Sequence, residues 1–215
     1  MRNDWMHSLN RCLTVAAIAV ALIAPAATQT APPAAAGAGQ RGGGRGPATP
    51  PLIMTSTAWE DGGVIPDKYT QAAPSGTTAV SPELKWSQVP AGTQSFVLLM
   101  HDPEPVLNKG SKMDITHWLI WNIPGTSTGL PEGVAQGELP DGSRQVSLRS
   151  NAYMGPGAPP GPYHHYTFEL YALDIKLDLP QGTPQEAAAT RTAIVNAMDG
   201  HVLGKAVLVA RFHRP

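Results

Sequence analysis

Four side chains with the chemistry to bind a ligand stand at the ends of apolar segments: Asp102, His117, His164 and Tyr166. Side chains at alternate positions of a β-strand face the same side of the sheet. Each of the four continues an alternating row of apolar residues. Asp102 follows Phe96, Leu98 and Met100, and His117 precedes Leu119 and Trp121. His164 and Tyr166 precede Phe168, Leu170 and Ala172 in the third row. If the ends of the three rows meet, the polar groups line one cavity at the rim of the core.

Such a cavity would suit an anion. Two imidazoles and a phenol are hydrogen-bond donors for a phosphate, sulfate or carboxylate group. A carboxylate between two histidines would orient both rings and favour the protonated form that holds an anion. The sequence therefore predicts an anion site in which Asp102 lies between His117 and His164.

Other chemistry remains open for the same residues. Asp102, His117 and His164 are a plausible set of metal ligands, but their spacing matches no helical His-Glu-x-x-His motif. The candidate nucleophiles are Ser95, Ser111 and Ser147, and none of them lies in a Gly-x-Ser-x-Gly motif. We therefore assign no catalytic residue, metal ion or other cofactor, and we expect no enzymatic activity.

The segments that must position these residues are predicted to be strands of a sandwich. Three runs are apolar on both faces, as central strands are, and they comprise Ser95–Met100, His117–Ile123 and Tyr166–Leu173. One helix is predicted from Thr183-Pro184 through Ala187–Met198, where Asp199-Gly200 ends it. Ala206–Phe212 is then the last strand.

The first residues have the layout of a secretory signal. Within residues 1–27, a basic start precedes the apolar run Leu13–Ile23 and then the small residues Ala24–Ala27. The run is shorter than the roughly 20 residues that span a bilayer. We therefore expect cleavage, a periplasmic or secreted protein and no stable membrane insertion of the mature form. Residues 28–51, rich in Ala, Pro and Gly, are predicted to be a flexible linker, and residues 52–215 the folded domain.

Composition limits the remaining possibilities. A chain of 215 residues can form one domain with a proper core. Its net charge of −1 gives no argument for nucleic acid as a partner, and its 22 glycines and 22 prolines favour a turn-rich β fold over a helical bundle. Cys12 lies in the predicted leader, so we expect neither a disulfide nor a thiolate metal site in the mature protein.

Several motifs occur in a familiar order and spacing. They are Ser81–Thr93 followed by His101-Asp102-Pro103-Glu104, Thr116-His117-Trp118 through Pro124-Gly125, Tyr153-Met154-Gly155-Pro156, the pair Pro159-Pro160, and His164–Asp174. Together they resemble the signatures of the phosphatidylethanolamine-binding protein family, and more specifically its bacterial Raf-kinase-inhibitor-like branch. The resemblance extends from about Leu52 to Arg214.

This resemblance implies a mostly β fold, an antiparallel β-sandwich of two sheets with Greek-key connections and a C-terminal helix. It also implies a pocket for anionic groups such as the phosphate of a phospholipid head group. Carried over by position, the pocket residues are Asp102, His117, His164 and Tyr166, and the residues that shape the walls are Pro103 and Pro160. The function predicted is that of an exported protein that binds a small anion without catalysis.

Two alternatives come from different classes of function. The family includes inhibitors of kinases and proteases, so the chain could be an interaction module with a protease or kinase as its target. A hydrolase or metal-dependent enzyme that uses the Asp/His cluster is the third possibility.

The chain also departs from the family pattern near the pocket. Glu104-Pro105 stands where the family usually has Asp-x-Pro, and His165 stands where arginine is frequent. A cysteine often found before the proline pair is replaced around Gly157-Ala158. These changes are expected to alter specificity more than the pocket itself.

Overall fold

A computed structural model of the chain describes residues 50–105, 109–110, 112 and 114–215. The predicted signal peptide, and the predicted linker up to residue 49, lie outside the described residues. No helix within the described part of the chain is both long and apolar enough to cross a bilayer.

The described residues form two β-sheets. The strands are β1 Ile53–Thr55, β2 Gly63–Val64, β3 Leu84–Ser87, β4 Ser95–Asp102, β5 Ile115–Pro124, β6 Gly129–Leu130, β7 Arg144–Val146, β8 His164–Leu173 and β9 Val202–Phe212. One sheet has the order β2-β9-β8-β4-β5-β7 and the other the order β1-β3-β6. The pairs are antiparallel except for the short parallel pair of β2 and β9. The prediction of a mostly β, two-sheet sandwich is confirmed.

The central strands are apolar on both faces because both faces of the larger sheet are covered. On the inner face, Phe96, Leu98 and Met100 of β4 pack in one cluster with residues of the smaller sheet. On the outer face, Val97 and Leu99 pack in a second cluster with the helix. Sheets covered on both faces have strands that are nearly continuous apolar runs.

The helix precedes the last strand, as the sequence predicts. A 3₁₀ turn at Pro184–Glu186 leads into α1, Ala187–Ala197. Thr183 does not cap a backbone N–H group, and instead its Oγ1 donates to Glu186 Oε2 at 2.7 Å. Ile194 of α1 is fully buried against the sheet, and burial of such a side chain contributes about 1.5–3 kcal/mol.

β5 does not keep the strict alternation that the sequence suggests. Met100 pairs with Trp118, whereas His101 pairs with Thr116, so His117 is an extra residue in the ladder. Such a β-bulge changes the direction of side chains locally. His117 therefore faces the inner side of the sheet beside Tyr166, while Leu119 and Trp121 lie in the outer cluster. The prediction that His117 shares their face is wrong.

Candidate anion-binding site

A cavity of about 160 Å³ lies where the end of β4 meets the start of β8, and four residues in its wall are Asp102, His117, His164 and Tyr166. β4 and β8 are antiparallel neighbours, so the last residues of one strand lie beside the first residues of the other. The bulge in β5 supplies His117 from the adjacent strand. The structure thus brings together the four polar residues selected from the sequence, whereas their role in binding stays a prediction.

The prolines of the wall differ from those carried over by position. Pro103 and Pro160 are exposed and lie outside the wall formed by described residues, whereas Pro105 and Pro159 belong to it. Asp102 Oδ1 accepts the Glu104 N–H at 3.1 Å, which closes a tight turn directly after β4. Pro103 therefore lies at the outside of this turn, and the shifted Pro105 returns to the cavity.

Asp102 and His164 form the central polar pair. His164 Nδ1 lies 2.8 Å from Asp102 Oδ2, and only 2% of Asp102 is exposed. Burial raises the pKa of Asp102 above its usual range, although the hydrogen bonds from His164 and from the Glu104 backbone oppose this. With Nδ1 held by the carboxylate, Nε2 is the ring nitrogen of His164 left for a ligand.

His117 has different surroundings. Its Nδ1 lies 2.8 Å from the carbonyl oxygen of Met154, so Nδ1 carries the proton and donates it there. Burial lowers the pKa of His117 to about 4, and the positive charge of Arg149 acts in the same direction. The ring is therefore neutral at pH 7. Nε2 is the ring nitrogen of His117 that does not contact Met154.

The position of Asp102 relative to the two histidines is thus a correction to the sequence analysis. Asp102 contacts His164 but does not bond to His117, which uses a backbone carbonyl instead. The protonated form of His117 is disfavoured by burial rather than favoured by a carboxylate.

Tyr166 forms the floor between these groups. Its ring meets His117 edge-on, with ring centroids 5.1 Å apart. Its hydroxyl oxygen accepts the backbone N–H groups of Gly157 at 3.2 Å and Ala158 at 3.1 Å. Burial and the nearby Asp102 carboxylate raise the pKa of Tyr166. The phenol therefore keeps its proton and can donate it.

Two of the departures from the family pattern contact each other. Glu104 Oε1 lies 2.7 Å from His165 Nδ1, and the same carboxylate accepts the His165 backbone N–H. Although partial burial opposes it, hydrogen bonding with Asp102 and His165 lowers the pKa of Glu104. This contact ties the turn after β4 to the start of β8, and it therefore supports the positions of Asp102 and His164.

Sequence reasoning missed the permanent cation of the site. Arg149 lies in the cavity wall, and its Nη1 donates to Gln71 Oε1 at 3.2 Å. Gln71 is also a wall residue. Both belong to irregular segments in which neither alternation nor a motif indicates the direction of a side chain.

The possible metal ligands also differ from the set considered first. Among the described residues, Asp102, Glu104 and His164 each place one candidate ligand atom within 4.8 Å of the others, and His117 is not part of this group. The hydrogen bond between Asp102 and His164 already uses one such atom on each residue.

His101 lies on the outer face of the sheet, away from the cavity. Its Nδ1 contacts Asp114 Oδ2 at 2.7 Å, and Asp114 also pairs with Arg191 of α1. Although burial lowers it, the carboxylates of Asp114 and Glu169 raise the pKa of His101 to about 8. This cluster joins the helix to the sheet behind the cavity.

One Gly-x-Ser-x-Gly sequence, Gly125–Gly129, also escaped the sequence analysis. It connects strands β5 and β6, whereas the nucleophile elbow of hydrolases connects a strand to a helix. Ser127 Oγ donates to the Gly129 carbonyl at 2.8 Å, and the Ser127 carbonyl accepts the Trp86 indole N–H. The segment is therefore a structural loop that leads from the larger sheet to the smaller one.

The chain is similar to known proteins over the whole described domain. A family model described as "Phosphatidylethanolamine-binding protein" matches residues 55–213. A "UPF0098 protein" of Methanothermobacter thermautotrophicus is 42% identical over 166 residues, which cover 76% of this chain and 99% of the relative. A second "UPF0098 protein", from Pyrococcus abyssi, is 32% identical over 169 residues, which cover 76% of this chain and 86% of the relative.

Two solved structures have a similar fold. A phosphatidylethanolamine-binding protein homologue from Chlamydia trachomatis has a TM-score of 0.63 at 28% identity, covering 77% of this chain and 99% of that one. The Escherichia coli protein YbcL, described as a member of the mammalian phosphatidylethanolamine-binding protein family, has a TM-score of 0.60 at 26% identity, covering 76% of this chain and 99% of that one.

Proposed function

Since this chain belongs to the phosphatidylethanolamine-binding protein family, we propose that it binds a small phosphate-type anion in the cavity of Asp102, His117, His164 and Tyr166. The family is one of ligand-binding proteins that are generally without catalytic activity. The observation that carries the proposal is that Arg149, Tyr166, His117 and His164 line one small cavity, while the Nδ1 atoms of both imidazoles are bonded to Met154 and Asp102.

The size of the cavity supports a head group rather than a whole lipid. About 160 Å³ is below the roughly 300–1,000 Å³ of pockets for drug-sized ligands. A phosphoryl group with a short substituent is of suitable size, whereas acyl chains would have to lie outside.

The donors in the wall suit an anion. Arg149 supplies a fixed positive charge, and planar guanidinium groups bind phosphate oxygens in a bidentate manner. The neutral phenol of Tyr166 supplies an O–H group. The carboxylate of Asp102 holds Nδ1 of His164, which leaves Nε2 of that ring for the ligand.

Because His117 is neutral, we expect the affinity for the anion to depend on pH. A neutral imidazole with Nδ1 donating to Met154 presents a lone pair at Nε2. A fully ionised phosphate would repel that lone pair, whereas a P–OH group would donate to it. We therefore expect the singly ionised form to bind best, and phosphate monoesters reach that form below a pKa of about 6.

Calorimetric titration of the mature protein with inorganic phosphate and with phosphoethanolamine tests the proposal. We expect affinity to increase from about pH 7.5 to about pH 5.5 as the anion gains its proton. Arg149→Gln should weaken binding by roughly ten- to a hundredfold, because hydrogen bonds to charged groups contribute about 1.5–3 kcal/mol. Lys176→Gln, which removes an exposed positive charge outside the wall, is the matched control.

Two outcomes would contradict the proposal. The first is the absence of phosphate binding by the wild type at millimolar concentration. The second is turnover of an ester or phosphoester that disappears in His117→Asn, which would identify a hydrolase. The hypothesis that the protein inhibits a protease or kinase stays a prediction. Inhibition of such an enzyme that persists in the His164→Ala variant would distinguish it from the binding of an anion in the cavity.

We also propose that the protein is exported and loses residues 1–27, on the basis of the basic, apolar and small-residue layout of this segment. Mass spectrometry of the protein from the periplasmic and culture fractions of a bacterial host tests this. A mature chain that begins near residue 28 is expected. A chain that begins at Met1 in the cytosolic fraction would contradict it.

A further inference from the structure

A second cavity, of about 430 Å³, lies next to the candidate anion site, and most of its wall comes from residues 78–81, 133–136 and 149–155. This volume falls within the roughly 300–1,000 Å³ of small-molecule pockets. Gln71, Arg149 and Met154 belong to the walls of both cavities and form a partition between them. A ligand in the second cavity is therefore a separate molecule from an anion in the first.

Two arginine side chains meet at this partition. Arg149 Nη1 donates to Gln71 Oε1 at 3.2 Å, and Arg214 Nη2 donates to the same oxygen at 3.4 Å. Gln71 is itself held in place, because its Nε2 donates to the Gly155 carbonyl at 2.9 Å. Within the described part of the chain, neither guanidinium forms an ion pair with a carboxylate. Two like charges thus share one neutral acceptor, and an anion bound beside them would offset their repulsion.

The rest of the wall determines which anion fits the second cavity. Arg149 is the single charged residue among its described wall residues. Tyr153 is neutral because burial raises its pKa well above the usual value, and its hydroxyl donates to the Tyr69 carbonyl at 2.7 Å. The other wall residues are mostly small or apolar, and they include Ala79, Val80, Val134, Ala135 and Ala152. Such a wall suits an uncharged organic body with one anionic end.

Glu132, which precedes the wall residue Gly133, does not compete for the two arginines. Its carboxylate accepts hydrogen bonds from Lys68 Nζ at 2.7 Å and from the Tyr69 hydroxyl at 2.7 Å. The negative charge of Glu132 is therefore balanced by Lys68, and the positive charge of Arg149 stays available to a ligand.

We propose that the second cavity is a binding site for a small organic carboxylate, distinct from the phosphate-type anion of the first cavity. The carboxylate group pairs with Arg149, whose planar guanidinium binds carboxylates in a bidentate manner. Arg214 adds a second positive charge through its contact with Gln71. The uncharged body of the ligand lies against Val80 and Val134.

Butyrate and its uncharged isostere butyramide test the inference, and NMR of the protein with labelled methyl groups locates each of them. We expect butyrate to shift the methyl signals of Val80 and Val134, in the wall of the second cavity. The signals of Ile115 and Leu148, in the wall of the first cavity, should stay unchanged. Because hydrogen bonds to charged groups are stronger than those between neutral groups, butyrate should bind about tenfold more tightly than butyramide.

Ala135→Trp and Thr78→Trp fill the second cavity from exposed wall positions. Each should weaken butyrate binding by about tenfold or more, because the bulky ring occupies the space of the ligand, and leave the affinity for inorganic phosphate unchanged. Ala188→Trp, at an exposed position of α1, is the matched control and should bind butyrate as the wild type does.

Arg214→Gln removes the second positive charge and should weaken butyrate binding by roughly threefold, as expected for an exposed charge pair. Lys176→Gln, which removes an exposed positive charge outside both walls, is its control and should leave butyrate binding unchanged.

The outcomes separate this inference from the proposed function. Absence of any shift at millimolar butyrate, shifts confined to Ile115 and Leu148, equal affinity for butyramide, or butyrate binding that both cavity-filling variants retain would each overturn the inference. Failure of phosphate to bind would overturn the proposed function, whereas butyrate that still shifts Val80 and Val134 would leave the second site in place.

Discussion

Acidification should weaken the folded protein through His117. In the unfolded chain this histidine takes up a proton near its ordinary pKa of 6.5, whereas in the folded protein burial lowers its pKa to about 4. Between these values the unfolded state binds more protons, so the free energy of unfolding decreases as the pH falls. The contribution is complete above the upper pKa and is lost as the pH falls through that window.

The magnitude follows from the size of the shift. Each unit of pKa difference corresponds to about 1.4 kcal/mol, so the shift of His117 from 6.5 to about 4 corresponds to about 3 kcal/mol. His117→Asn retains an N–H donor at the δ position, where His117 Nδ1 meets the Met154 carbonyl, but removes the titration. All other acidic groups are common to both proteins, so their effects cancel in the difference.

Urea unfolding of the wild type and the variant, followed by tryptophan fluorescence, measures this difference over the range between the two pKa values. The stability of the wild type relative to His117→Asn should decrease by about 3 kcal/mol as the pH falls from above 6.5 to about 4. His201→Asn, at a half-exposed histidine paired with Asp174, is the control for removal of a surface histidine. A difference between wild type and His117→Asn that stays constant with pH would refute the reasoning.

Three further predictions concern the surroundings of the site. Tyr166→Phe leaves two backbone N–H groups without their acceptor, so thermal unfolding should show a loss of about 1–3 kcal/mol together with weaker phosphate binding; unchanged stability would contradict the hydrogen-bond assignment. Because the pKa of His101 is raised to about 8, its protonated ring contributes stability that is complete below pH 6.5 and is lost as the pH rises through 8. Asp114→Asn should make the unfolding free energy from urea titrations fall less steeply over this range, and an unaltered dependence on pH would count against the ion pair. Ile194→Ala should cost about 2–5 kcal/mol in unfolding free energy, whereas Val195→Ala, at an exposed position, should cost less than about 0.5 kcal/mol; similar losses would show that α1 is not packed as described.

Much of the fold could be predicted because local pattern and tertiary environment agree. The runs at Ser95–Met100 and Tyr166–Leu173 lie within β4 and β8, and both faces of these strands are covered. Alternation along them correctly places Asp102 and Tyr166 toward the inner face, because the pairing of β4 with β8 has no shift in register.

The same rule fails in β5 because alternation assumes an uninterrupted ladder. The extra residue at His117 reverses the relation between this side chain and Leu119. The predicted cluster still forms, because the bulge directs His117 into the cavity. Strict alternation with Leu119 would have placed it on the outer face of the sheet. A bulge depends on the partner strand, so a single sequence does not reveal it.

The remaining differences lie in loops and turns. Arg149 reaches the cavity from a segment without periodicity, and Pro105 replaces Pro103 in the wall because an aspartate-closed turn moves the chain. The charge state of His117 depends on burial and on a carbonyl far along the chain. These features follow from tertiary packing, which short-range patterns do not contain.

A crystal structure of the mature protein grown with phosphate, together with metal analysis of the same preparation, tests the central claim most directly. The account predicts one phosphate in the cavity, within hydrogen-bond distance of Arg149, the Tyr166 hydroxyl and His164 Nε2, in protein that carries no stoichiometric metal. A stoichiometric metal ion on Asp102 and His164, or phosphate bound only elsewhere on the surface, would contradict it.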